Sequence, residues 1–400
     1  MLRPGLAALV VVALAAPGAL VADPKTVAVK SPDELRTAVA AARPGTRIEI
    51  AAGDYGGGWH FRDLRGAEGR PIVLAAKDPR NPPEFKGGGS GIHLTGAVHV
   101  ELAGLAFSGQ TGNGVNVDDG GERATPTHHV VLRGLTVRDV GPDGNCDGIK
   151  LSGLTEFRVE DCTVERWGRG GSAVDMVGCS AGVIEGCTLR HSSGTAGASG
   201  VQMKNGTRVV AVRLCRFENA GSRAVNAGGS TGLAYFRPPL AGWKGPKYEA
   251  KDVVVEGCTF VGSDAPVAFV GVDGAKFRFN TVYLPNRWLA RILQENRAEG
   301  FVPSRRGEIA DNLIVFRSDR WSEGGVNRGD GTEPVTFVFA RNFWFCADAP
   351  GRTRELLRLP DEEKDGVHGK DPAFVDAEKL DLRLRSGSPA KGVGAEALRD

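Results

Sequence analysis

Apolar and polar positions alternate with period two in short runs that recur along most of the chain. The runs cover residues 91–95, 114–118, 148–152, 173–177, 200–204, 224–228 and 266–270. Their apolar members pair as Ile92/Leu94, Val115/Val117, Ile149/Leu151, Val174/Met176, Val201/Met203, Val225/Ala227 and Val267/Phe269. Such alternation predicts strands with one buried face. A second column follows each run, as Leu105, Leu135, Cys162, Cys187, Cys215, Cys258, Asn280, Asn312 and Asn342. Its members are 22 to 32 residues apart, with one interval of 43. One short strand per period cannot bury its apolar face alone. Stacked coils about 4.8 Å apart give every strand a parallel partner above and below. The pattern therefore predicts an all-β solenoid, a parallel β-helix with a narrow aliphatic core. The cysteines and asparagines belong at its inward corners, the former as small buried hydrophobes rather than disulfides, the latter as amide ladders.

The ends read differently. Ser31, Pro32 and Glu34 form an N-cap, first-turn proline and capping glutamate ahead of an amphipathic stretch, 35–42, which predicts a short N-terminal capping helix. Residues 347–400 are expected to close the other end. At the N-terminus, Arg3, an apolar run over 6–16 and small residues up to Ala22 predict a secretory signal peptide, 1–22. The mature chain, 23–400, is expected to be one extracytoplasmic domain, secreted or periplasmic, with its cap at 31–55 and coils over about 56–346. No later run is long enough to span a membrane.

Composition adds constraints. Glycine supplies 57 of 400 residues, aromatics 7% and charged residues 24%. The excess of glycine fits many tight turns. The net charge of +2 argues against a nucleic-acid partner. Seven cysteines include no C-x-x-C pair, which argues against a zinc ribbon.

The N-terminal phrase over 35–55, the coil strands and the tail over 371–394 resemble bacterial right-handed parallel β-helix proteins of the pectate-lyase-like superfamily. The resemblance spans nearly the whole mature chain. It implies a right-handed coil and a carbohydrate-active protein, and this scaffold hosts lyases, hydrolases, esterases, epimerases and inert spikes.

Outward positions of the strand column make a polar stripe of His93, Asn116, Lys150, Asp175, Gln202 and Asn226, with Asp118, Ser152 and Lys204 two residues on. Gly91, Gly114, Gly148 and Gly200 flank it as expected floor space. Acids, amides and lysines along a groove suit a linear acidic polysaccharide. Eliminative cleavage of a uronate needs a neutralised carboxylate, a base for the C5 proton and a donor to the leaving oxygen. Lys204 and Lys150 are the candidate bases, and Asp118, Asp119, Asp147 and Asp175 the oxygen ligands of an expected Ca²⁺. Asn145 to Ile149 followed by Asp175 is similar to part of the calcium site of one pectate lyase group. That group has further acids where this chain has Ser172 and Ala173, and its base falls on Gln202. In chondroitinase B and alginate lyases of this fold the base aligns with Lys204. Their arginine falls near Gly228, with Arg223 as candidate substitute, and their calcium ligands fall on Gly197 and Ser199.

The long interval marks an insertion, 230–251, rich in aromatics, with Tyr235 and Trp243 expected to stack on sugar and Arg237 to clamp a carboxylate. A second extrusion, 286–306, is expected to form a groove wall. The leading expectation is a monomeric, secreted polysaccharide lyase. The alternatives are a glycoside hydrolase or uronate epimerase on the same groove, or a non-catalytic glycan-binding surface protein.

Overall fold

The computed structural model describes residues 25–121, 126–141, 143–192, 199–229 and 232–399; the signal peptide expected at 1–22 and Gly197 lie outside the described residues. Three parallel sheets of 13, 11 and 10 strands run the length of the molecule. A typical coil contributes one strand to each. Trp59–Arg62, Ser90–Thr95, Asn113–Asp118, Ile149–Ser152, Ser172–Val177, Ser199–Lys204, Arg223–Gly228, Ala265–Val270, Ala290–Leu293 and Val326–Arg328 stack in order as the ten-stranded sheet. The alternating runs fall in seven of these strands. Their apolar members point inward and are almost wholly buried, each side chain larger than alanine contributing about 1.5–3 kcal/mol of hydrophobic stabilisation.

The corner column behaves as a ladder. Asn280 Oδ1 accepts from Cys258 N at 3.0 Å, Asn312 Oδ1 from Asn280 N at 2.9 Å, and Asn342 Oδ1 from Asn312 N at 3.0 Å. Each amide Nδ2 donates back to a main-chain carbonyl, those of Val255, Phe277 and Ile309. Glu363 ends the series by accepting from Asn342 Nδ2 at 2.7 Å. The seven cysteines are free and buried.

At the N-terminal end, the helix Pro32–Ala40 begins at Ser31, whose Oγ accepts from Glu34 N at 3.3 Å. Leu35, Ala38 and Val39 lie on the core. At the other end the expectation needs division. Leu356, Leu357 and Leu359 pack on the main core. The tail beyond them, with its antiparallel pair Phe374–Asp376 and Asp381–Leu384, instead covers the flank of the 11-stranded sheet through Phe374 and Ala390 against Leu313, Val315 and Phe343. Those outward apolar side chains are what the tail shields.

Two further expectations change. The glycines beside the polar stripe are not its floor. A Cβ on Gly114 would stand 2.3 Å from Val137 Cγ1, and one on Gly148 2.4 Å from Val164 Cγ1. They let opposing walls of the coil approach, an interior requirement. The extrusion over 286–306 also supplies a rung, Ala290–Leu293, rather than only a wall, with Arg291 in register with Ala268 and Asn327.

Candidate functional site

The ten-stranded sheet sets the geometry. Parallel pairing puts His60, His93, Asn116, Lys150, Asp175, Gln202, Asn226 and Ala268 in one unbroken register. Outward side chains on successive rungs are thus neighbours. An open cleft of about 490 Å³ lies over the middle of this row. Asn116, Asp118, Lys150, Lys204, Tyr235 and Arg237 line it, with Asp119, Asn113, Asn145, Ser152 and Val177.

Beneath the cleft, two buried acids meet two lysines. Lys150 Nζ donates to Asp147 Oδ2 at 3.2 Å and to Asp175 Oδ2. Asp147 Oδ1 accepts from Ser172 N at 2.7 Å. Lys204 Nζ is 3.1 Å from Asp175 Oδ1, an ion pair without hydrogen-bond alignment, so that oxygen accepts no hydrogen bond among the described residues. Lys204 is only 8% exposed. Burial would lower the Lys150 ammonium, but the charges of Asp175 and Asp147 outweigh it and hold it above its usual range. Asp147 is pushed up to about 6, by burial first and by the charge of Asp175 second, despite the attraction of Lys150. The shared lysine therefore stays charged.

At one end of the cleft, Asp118 Oδ2 lies 2.6 Å from His93 Nε2 and accepts from Asn116 Nδ2 at 3.2 Å. Its Oδ1 accepts from Gly120 N at 3.0 Å. Burial opposes ionisation of Asp118, but the bond and charge of His93 prevail and lower its pKa. The His60 ring stacks on His93 at 4.2 Å.

These contacts test the expected calcium site. Ca²⁺ takes six to eight oxygens, usually with surplus negative charge. Here Asp147 and Asp175 are balanced by Lys150 and Lys204, and Asp118 is engaged by His93, Asn116 and a main-chain amide. The arrangement does not fit Ca²⁺, because the ammonium of Lys150 stands where two acids converge.

The insertion reaches the cleft, but not as a free clamp. Arg237 is bidentate on Asp119, Nε to Oδ2 at 2.6 Å and Nη2 to Oδ1 at 2.8 Å. It braces the insertion against the adjoining corner and places Tyr235, 58% exposed, at the rim. Trp243 packs on Tyr248 and Phe236 away from the lining. Gln202 Oε1 accepts from Ser172 Oγ at 3.3 Å. Arg223, expected near the base, instead donates to Glu295 at 2.9 Å and to the buried Asn226 at 3.3 Å. A buried anchor that the residue pattern had not singled out is Glu249. It accepts from Asn205 N and from Asn296 Nδ2, both at 2.9 Å, and burial raises its carboxyl to about 7. Its only sequence signal is an acid just before an apolar strand.

The family pattern described as a right handed beta helix region matches residues 84–237. An alginate lyase from Paenibacillus sp. str. FPU-7 superposes with a TM-score of 0.52 at 19% identity, covering 76% of this chain and 99% of its own. The fold is a right-handed parallel β-helix. A pectate lyase superposes at 0.54 with 11% identity, covering 94% of this chain and 92% of its own. A rhamnogalacturonan lyase does so at 0.50 with 12% identity, covering 93% and 100%. A comparison with curated protein sequences returns no match. No described helix is long and apolar enough to cross a membrane.

Proposed function

We propose that this chain is an exported polysaccharide lyase that cleaves a uronate-containing glycan by β-elimination. The observation that carries the reading is Lys204. Its ammonium is nearly buried, faces the cleft and donates no hydrogen bond among the described residues. A base needs such freedom to approach a substrate proton. In its neutral form Lys204 takes the proton from C5. The C5–H electrons form the C4–C5 double bond, the C4–O bond breaks, and the leaving oxygen takes a proton from Lys204 or from water. Lys150, kept charged by its two acids, faces the uronate carboxylate in place of a metal. Tyr235 offers a ring to a sugar face at the rim. The fold neighbours that are named lyases of alginate, pectate and rhamnogalacturonan support the substrate class.

The test is the ultraviolet absorbance of the unsaturated product on pectate, alginate and glycosaminoglycans, with Ca²⁺ and with EDTA. Product should form equally under both conditions. No product from any of these glycans would remove the elimination reading, and a product heavier by one water would replace it with hydrolysis.

A further inference from the structure

Around the corner from the cleft, the chain enters the 13-stranded sheet through a column of left-handed residues. His99, His129, Glu156, Ala181 and Val209 occupy it on successive coils, with φ of 49°, 54°, 53°, 53° and 54°. Because Ala181 and Val209 share the conformation, the bend belongs to the fold and not to a ligand. Its consequence is local: a residue with φ > 0 interrupts strand alternation and lets neighbours crowd on one side. On three successive coils the column carries His, His and Glu, and His128 stands beside the second.

These side chains converge. The His99 and His129 rings stack at 4.3 Å, and His128 meets His129 edge-on at 5.0 Å. His128 Nδ1 and His129 Nδ1 are 2.7 Å apart, and His129 Nδ1 is 3.4 Å from Glu156 Oε2. One ring nitrogen from each histidine lies within 4.8 Å of the others. None of the four residues lines the cleft.

We propose that His99, His128 and His129, completed by Glu156, bind a divalent transition-metal ion of the zinc class. Imidazole nitrogen suits Zn²⁺, Ni²⁺ and Cu²⁺, whereas Ca²⁺ and Mg²⁺ demand oxygen. Tetrahedral Zn²⁺ with ligands at about 2.0–2.1 Å places them about 3.4 Å from each other. The nitrogens already span that scale, so small rotations of half-exposed rings complete the site. Three imidazoles and one carboxylate leave a single net positive charge on the bound ion. The ion would pin three consecutive coils through their side chains, so its binding is read in stability as well as in heat.

The experiment uses the full mature chain, stripped with EDTA and dialysed. ZnCl₂ is titrated in by calorimetry near neutral pH, and melting is followed with and without the ion. One equivalent of Zn²⁺ should bind and raise Tm, while CaCl₂ gives neither effect at this site. His99→Asn and His129→Asn, chosen because asparagine tolerates φ > 0, should each weaken binding roughly tenfold or more with the metal-free Tm little changed. His60→Asn should bind as the parent does. Absence of binding below about 1 mM Zn²⁺, or parental affinity in both the His99 and His129 variants, overturns the proposal. Should one of those variants fold poorly, the other decides.

Discussion

Two columns run along this molecule in equally strict register, and they are built on opposite principles. In the corner ladder, Asn280, Asn312 and Asn342 repeat one residue, and each amide satisfies the next. In the cleft row, His93, Asn116, Lys150, Asp175 and Gln202 are all different. Charges are buried there, and among the described residues Asp175 Oδ1 accepts no hydrogen bond and the Lys204 ammonium donates none. Repetition of a self-complementary side chain closes every polar group and produces stability. Broken repetition leaves groups with unused capacity, and a substrate can use it. The contrast is what makes the cleft row the candidate site on this repeat fold.

The largest effect that could break this contrast is Lys204→Arg. It keeps the charge beside Asp175 and removes the proposed base, so turnover should fall by about 10³-fold, or about 4 kcal/mol in the barrier, with Tm nearly unchanged. Steady-state absorbance kinetics together with melting would show it. An equal loss in both readouts would make Lys204 structural like the ladder.

Next comes the reverse case, Asn312→Ala. It takes the side-chain acceptor from Asn280 N and a donor from the Phe277 carbonyl and should cost about 3 kcal/mol of stability. Denaturant unfolding measures it, and the specific activity of the folded protein should stay at the parental level.

A smaller effect concerns Glu249, which anchors the insertion from below. Its carboxyl is raised from 4.5 to about 7 in the folded chain, so the native state binds this proton more tightly than the unfolded chain. The stabilisation is full below pH 4.5 and is lost as pH rises through about 7, a change on the order of 2–3 kcal/mol. Asp147, raised to about 6, adds a slope of the same sign. Urea midpoints from pH 4 to 8 should fall across this window, and Glu249→Gln should remove the larger part of the fall. A midpoint that rises across the window would contradict the assignment.

The smallest expected change is Cys215→Ala. The sulfur packs as a small hydrophobe with weak donation to Ile184 O and Arg213 O, so about 1 kcal/mol should be lost. The melting curve should shift by a few degrees and be insensitive to reductant.

The cleft residues show how far a one-dimensional reading extends. Asn116, Lys150, Asp175 and Gln202 could be aligned because each sits in the same phase of an alternating run. Their register followed from strand periodicity alone. Arg237 could not be placed in that way. Its partner Asp119 lies 118 positions earlier, and nothing local distinguishes an arginine that will meet a substrate from one that will meet a corner aspartate. The glycines beside the row misled for a related reason. Their spacing was visible, but the facing side chains Val137 and Val164 come from another wall of the coil.

By itself the sequence determined the solenoid, its strand register, its capped N-terminal end and the membership of the polar stripe. All of these follow from short-range periodicity repeated many times. Tertiary structure alone decided which acids the two arginines meet: Arg237 on Asp119 and Arg223 on Glu295. Electrostatic pairing depends on distances of a few ångströms between residues far apart in the chain, and the pattern of any single coil contains no record of those distances.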